Sequence, residues 1–138
     1  TMQAHAVYAD VVAEVRELLA RRAERCAAAG IIDIVIDPGI GFGKSLAENL
    51  ALINALPLFH ALGQPLLLGV SRKRMIGALS NEAPPHQRLG GSVALAMKGM
   101  EAGVQLLRVH DVPATVQARD VWRGLRDAAL TDFSQLAD

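Results

Sequence analysis

The chain has 138 residues and weighs 14.7 kDa, room for one ordinary domain and too little for two. Hydrophobic residues make up 51% and the mean hydropathy is +0.27, which excludes a disordered chain. Lys and Arg together number 14 and so do Asp and Glu, so there is no basic field to recruit nucleic acid or an anionic membrane.

The single Cys26 excludes a disulfide framework and a cysteine-based zinc site. No apolar run reaches the roughly 18 residues of a membrane span. The chain opens on Thr1 with nothing that reads as a signal peptide. The expectation is a soluble, cytoplasmic α/β chain that begins inside a larger unit.

A first helix is predicted from about Tyr8 to Ala29. Val11, Val12, Val15, Leu18, Leu19 and Cys26 form one stripe, Glu17 and Arg21 pair on its polar side, and Gly30 closes it. Ile31–Ile36 is short and β-branched, as a strand buried on both faces should be. Asp37-Pro-Gly-Ile-Gly-Phe-Gly-Lys44 follows as a loop. A helix from about Leu46 carries Leu50, Ile53 and Leu56, with a break or kink at Pro57 and closure at Gly63 and Pro65.

Leu66–Val70 is the second strand, and Ser71-Arg72-Lys73-Arg74 the basic loop after it. A short helical turn is expected over Met75–Leu79 and a break over Asn81–Pro85. A helix from Pro85 to about Ala102 follows, with a small-residue face at Gly90, Gly91, Ser92, Ala94, Ala96 and Gly99. Val104–Val109 is the third strand. Pro113 opens a last helix bearing Val116, Ala118, Val121, Trp122 and Leu125, and Thr131–Asp138 reads as a frayed tail.

Strands alternating with helices imply parallel pairing with right-handed crossovers. In such folds chemistry sits at the C-terminal ends of the strands. That rule gathers Asp37, the glycine loop with Lys44, Ser71-Arg72-Lys73 and Arg108-Val109-His110-Asp111 on one working face.

Each has an ordinary alternative. Asp37 can accept two N–H groups from a ligand ring, or simply initiate a turn before Pro-Gly. The glycine loop fails both nucleotide patterns: Pro38 stands where the phosphate-loop glycine belongs, and the third glycine comes too early for a dinucleotide fold. It suits close approach to a flat ligand, or a tight turn. Lys73 meets an anion, or the basic run is a solvated loop. Arg108 and His110 share one side of their strand and suit an anion, or Arg108 pairs with Asp111 or Asp37 while His110 bonds the backbone. His5, His60 and His86 lack metal-ligand spacing, and Cys26, Met97 and Met100 read as packing residues. The small face at Gly90–Gly99 permits close helix approach, between subunits or against its own sheet.

Four motifs in order carry a resemblance: Asp37-Pro38-Gly39-x-Gly41-Phe42-Gly43-Lys44, Gly69-x-Ser71-Arg72-Lys73, Arg88-x-x-Gly91-Ser92 and Arg108-Val109-His110-Asp111-Val112. Together they resemble the dihydropteroate synthases of the pterin-binding barrel family. The resemblance implies a (β/α)8 barrel of which this chain, over residues 1–138, supplies three parallel strands, the sixth to the eighth. It implies condensation of p-aminobenzoate with 6-hydroxymethyl-7,8-dihydropterin pyrophosphate to give dihydropteroate and pyrophosphate. Asp37 resembles the pterin-binding carboxylate, and Lys73 the lysine between pterin and aminobenzoate. Phe42 and Ser71 resemble lining residues of the aminobenzoate pocket, and Arg108 and His110 the pyrophosphate holders. Gly69 and Val109 complete the expected substrate contacts.

The resemblance further implies magnesium, with its protein ligand in a missing N-terminal half and none in this chain. It also implies a sulfonamide-sensitive cytoplasmic homodimer, possible through the Gly90–Gly99 helix, and no nucleic-acid or membrane partner. Three strands cannot close a barrel, so the chain is expected to be incompetent without that half. The alternatives are a methyltetrahydrofolate-type methyltransferase barrel, and a non-catalytic half-barrel that oligomerises.

Overall fold

The structure, a computed structural model, describes residues 8–128, 130, 132 and 134. Helix α1 spans Val11–Ala28. It begins later than Tyr8 because Asp10 caps it, its carboxylate accepting the Ala13 N–H at 3.1 Å. Gly30, at φ +89°, ends it in the left-handed conformation that glycine adopts cheaply. Val11 and Val15 are buried, while Leu18 falls on the exposed side of the expected stripe.

Helix α2, Leu46–Asn54, starts with a capping box: Ser45 Oγ accepts the Glu48 N–H and Glu48 accepts the Ser45 N–H. The break expected at Pro57 is present. A 3₁₀ turn over Leu56–Leu62 carries Pro57 in its first turn and ends at Gly63, φ +76°. The change of pitch puts Leu56 and Phe59 in the core beside Leu52, Leu66 and Leu68, all without exposed surface.

The strands are shorter than the sequence predicts. Strand β1 is Leu67–Leu68 and strand β2 is Leu106–Leu107, paired in parallel with Leu67 opposite Leu106 and Leu68 opposite Leu107. The expected strand Ile31–Ile36 reduces to one parallel bridge, Ile36 to Leu66, in which the Ile36 N–H donates to Pro65 O and the Leu67 N–H to Ile36 O. Residues 31–35 have no ladder partner among the described residues, and Ile32 is 90% exposed. A β-branched run becomes a strand only where a second backbone accepts its hydrogen bonds.

Helix α3 is Arg74–Leu79, α4 is Leu89–Glu101 and α5 is Val112–Asp127, with Pro113 in the first turn of α5 as expected. Helix α4 starts at Leu89 and not at Pro85, because Pro85–Gln87 forms a separate 3₁₀ turn. A Cβ on Gly91 would lie 2.3 Å from Ile76 Cγ2 of α3, and one on Gly99 would lie 2.7 Å from Leu68 Cδ2 of β1. Much of the small face therefore seats α4 on its own chain, while a Cβ on Gly90 would meet open space. Gly91→Ala should cost about 1–3 kcal/mol through overpacking, read as a lower urea midpoint with an unchanged slope.

The result is an α/β unit with three parallel backbone segments in chain order and helices packed over them. Among the described residues no helix is long and apolar enough to cross a membrane. The expected tail at Thr131–Asp138 lies outside the described residues, apart from Asp132 and Ser134.

Candidate functional site

The loops leaving Ile36, β1 and β2 converge on a cavity of about 300 Å³, lined by Asp37, Ile40, Phe42, Gly69, Ser71, Lys73, Arg108, Val109 and His110. The expected substrate contacts Asp37, Phe42, Gly69, Ser71, Lys73, Arg108, Val109 and His110 all line this space, while Lys44, Arg72 and Asp111 of the expected working face do not. Ile40 joins the lining and is otherwise part of the core.

The glycine loop is held from inside. Asp37 Oδ1 accepts the Gly39 N–H at 2.8 Å, so the turn-forming role is real. Its other carboxylate oxygen makes no hydrogen bond among the described residues. Gly41, at φ +87°, packs against Lys73, and a Cβ there would meet Lys73 Cδ at 3.0 Å. Lys44 turns back on the loop, Nζ donating to Gly39 O at 2.9 Å and Phe42 O at 3.0 Å. It braces backbone and does not present itself as a phosphate-loop lysine would. Burial holds its pKa below that of a free lysine, against the opposing pull of Asp37 and Glu48.

Sequence reasoning passed over Asn49. It is buried on α2, its Oδ1 accepting the Gly41 N–H at 2.9 Å. The available signal was an amide in the same helical stripe as Leu52, Ile53 and Leu56, where a polar group needs a partner. Asn49→Ala leaves the Gly41 N–H without that partner and should cost about 1–3 kcal/mol in urea unfolding.

Lys73 Nζ sits 4.1 Å from the centroid of the Phe42 ring, a cation–π contact. Its pKa is lowered chiefly by burial; Asp37 opposes the shift and Arg108 adds to it. Lys73 also lines a larger cavity of about 590 Å³, shared with Gly43, Asn49, Arg72 and Arg74.

Ser71 is buried, and its Oγ ties down His110, accepting the backbone N–H at 3.1 Å and sharing a 2.8 Å hydrogen bond with Nδ1. This leaves Nε2 as the ring nitrogen available to a ligand. The alternative pairing of Arg108 with Asp111 or Asp37 does not form. Asp111 is engaged by Arg72 at 3.0 Å, and the Arg108 guanidinium makes no hydrogen bond or ion pair among the described residues, its backbone N–H alone donating to Leu68 O. The basic run is thus divided: Arg72 on Asp111, exposed Arg74 3.6 Å from Glu82, and Lys73 at the cavity.

The arrangement can hold an anion between Arg108, His110 and Lys73, beside a carboxylate able to accept N–H groups. No group of three or more His, Cys, Asp or Glu able to hold a metal is present among the described residues.

Comparison with known proteins bears on this geometry. A dihydropteroate synthase of Neisseria meningitidis serogroup B is 49% identical over 130 residues, covering 91% of this chain and 46% of the relative. The Thermus thermophilus synthase in complex with 4-aminobenzoate superposes with a TM-score of 0.87 at 52% identity, covering 91% of this chain and 51% of that one. The Xanthomonas albilineans synthase in complex with 7,8-dihydropteroate gives 0.85 at 48% identity, covering 87% and 48%. The chain spans about half the length of the relatives it matches, and its α/β fold resembles that part of their barrel. The family described as pterin binding enzyme matches residues 1–110. With the loops, the cavity and these matches in agreement, the chain belongs to the pterin-binding enzyme family.

Proposed function

We propose that this chain, as one partial domain over residues 1–138, supplies the C-terminal half of a dihydropteroate synthase active site. Its parallel segments correspond to strands six to eight of a (β/α)8 barrel. The observation that carries the reading is the convergence of Asp37, Lys73, Arg108 and His110 on one cavity, with the Arg108 guanidinium unpaired among the described residues. Relatives crystallised with 4-aminobenzoate and with 7,8-dihydropteroate support the choice of substrates.

In the proposed reaction the C–O bond between the pterin methylene and pyrophosphate breaks, its electron pair leaving with the pyrophosphate. The aminobenzoate nitrogen forms the new C–N bond and gives up a proton. Arg108, His110 and Lys73 stabilise charge growing on the leaving group, where pre-placed cations act most strongly. Asp37 accepts the ring N–H groups of the pterin and offsets positive charge developing on it. Phe42, Ser71, Gly69 and Val109 shape the walls, and Lys73 stands in the wall of both cavities. The reaction needs the N-terminal half of the barrel, which would also bring the magnesium ligand. A cytoplasmic, sulfonamide-sensitive homodimer belongs to the same reading.

The test joins this chain to the N-terminal half of the Neisseria meningitidis synthase and assays release of pyrophosphate and dihydropteroate. Turnover by the joined protein, and none by the chain alone, is expected. Turnover by the chain alone overturns the claim of incompleteness, and an inactive but folded joined protein overturns the activity.

A pH dependence follows from Lys73. Burial lowers its pKa, so it loses its proton below the 10.5 of a free lysine. Binding of inorganic pyrophosphate should weaken as the pH is raised, beginning below 10.5, and Lys73→Met should remove that limb of a calorimetric pH series.

A further inference from the structure

We propose that Asp111 is a positioning residue: through Arg72 it locks the Lys73 loop to the Arg108–His110 loop, so that anion affinity in the cavity depends on a carboxylate that lines neither cavity. The proposal rests on the pyrophosphate-site reading above.

Arg72 has φ +57°, a left-handed conformation unusual for a residue with a side chain and costing of order 1–3 kcal/mol unless its surroundings impose it. Here they hold it at three groups. Its N–H donates to Ser92 Oγ at 2.9 Å, and its carbonyl accepts from Arg88 Nη1 at 2.9 Å. Its guanidinium donates through Nε to Asp111 Oδ2 at 3.3 Å and through Nη2 to Oδ1 at 3.0 Å. The residues on either side of it, Ser71 and Lys73, both line the cavity. A residue fixed in this way sets the direction in which its neighbours leave the loop.

Asp111 stands at the N-cap position of α5, where a carboxylate ordinarily accepts a backbone N–H of the first turn. Its side chain makes no such bond and turns to Arg72 instead. Both oxygens are given to a bidentate pair, the geometry in which a guanidinium and a carboxylate specify orientation as well as attraction. The pair runs beside the Ser71–His110 hydrogen bonds, so the two loops are joined twice, once at His110 and once at Asp111. Loosening the second join leaves Arg72 freer to relax, which moves Lys73 relative to Arg108.

The test titrates inorganic pyrophosphate into the full chain by calorimetry, with urea unfolding alongside. Asp111→Asn keeps the shape and the capping capacity but loses the charge. It should weaken binding about 3- to 10-fold with the unfolding midpoint unchanged, and shift the backbone amide resonances of Lys73 and His110 while leaving those of Leu52 and Phe59 in place. Arg72→Lys, which keeps the charge but loses the fork, should do the same, and the double variant should be no weaker than either single one. Wild-type affinity in Asp111→Asn, with Arg108→Ala impaired, overturns the proposal and spares the site reading. So do losses that simply add in the double variant or that track the unfolding midpoint. Failure of the unaltered chain to bind pyrophosphate overturns both.

Discussion

Replacing Arg108 with alanine should weaken binding of inorganic pyrophosphate roughly 10- to 150-fold while leaving stability unchanged. Arg108 is exposed at the mouth of the cavity and its side chain has no hydrogen-bond or ion-pair partner among the described residues, so truncating it strands no protein group. A hydrogen bond between charged groups contributes about 1.5–3 kcal/mol, and each 1.4 kcal/mol is about a tenfold change in affinity. Arg108→Lys should recover only part of the loss, because an ammonium lacks the guanidinium fork. Calorimetric titration measures the affinity and urea unfolding the stability. Unchanged affinity in Arg108→Ala would remove the anion site from the proposed mechanism, and a matching loss of stability would recast Arg108 as structural.

Replacing Phe59 with alanine should have the opposite profile, costing about 3–5 kcal/mol of stability with no direct effect on the site. Phe59 is fully buried in the 3₁₀ turn after α2, in one cluster with Leu52, Leu56, Leu66 and Leu68. A cavity there cannot be filled by neighbours that are themselves fully packed. The loss is a large share of the roughly 5–15 kcal/mol that holds an ordinary domain together. Leu58→Ala, one residue away but 52% exposed, is the control and should change the urea midpoint little. Equal effects of the two would mean that this turn does not anchor the core.

Much of the site was legible because its residues follow buried apolar runs. A charged or glycine-rich segment after Ile36, after Val70 and within Arg108–Asp111 needs only parallel order to be brought to one end, and the cavity draws lining residues from all three. The helices were legible for a similarly local reason. Their starts and stops rest on Asp10, Ser45, Gly30 and Pro57, residues that act on their immediate neighbours. The strands were less so. Ile31–Ile36 has the composition of a strand, but a ladder is made between two backbones, and among the described residues only Ile36 has its partner. The small face of α4 was equally ambiguous: its glycines fit a second subunit or their own chain, and Ile76 and Leu68 occupy the space beside two of them.

Sequence alone determined the order of the helices and of the parallel segments between them, the four motifs and the family they point to, because these reside in spacing and in chemical type. Tertiary structure alone decided which charge meets which. Three cations in a row at Arg72, Lys73 and Arg74 are equivalent on paper. In the fold one is taken by Asp111, one lies near Glu82 at the surface, and one stands over Phe42 in the cavity. The physical reason is distance: pairing falls off steeply with separation, and residues far apart along the chain become neighbours only after the loops are closed. The opening arithmetic of equal positive and negative charge therefore bounds the protein's field, while the packing of three loops leaves Arg108 and Lys73 facing the cavity.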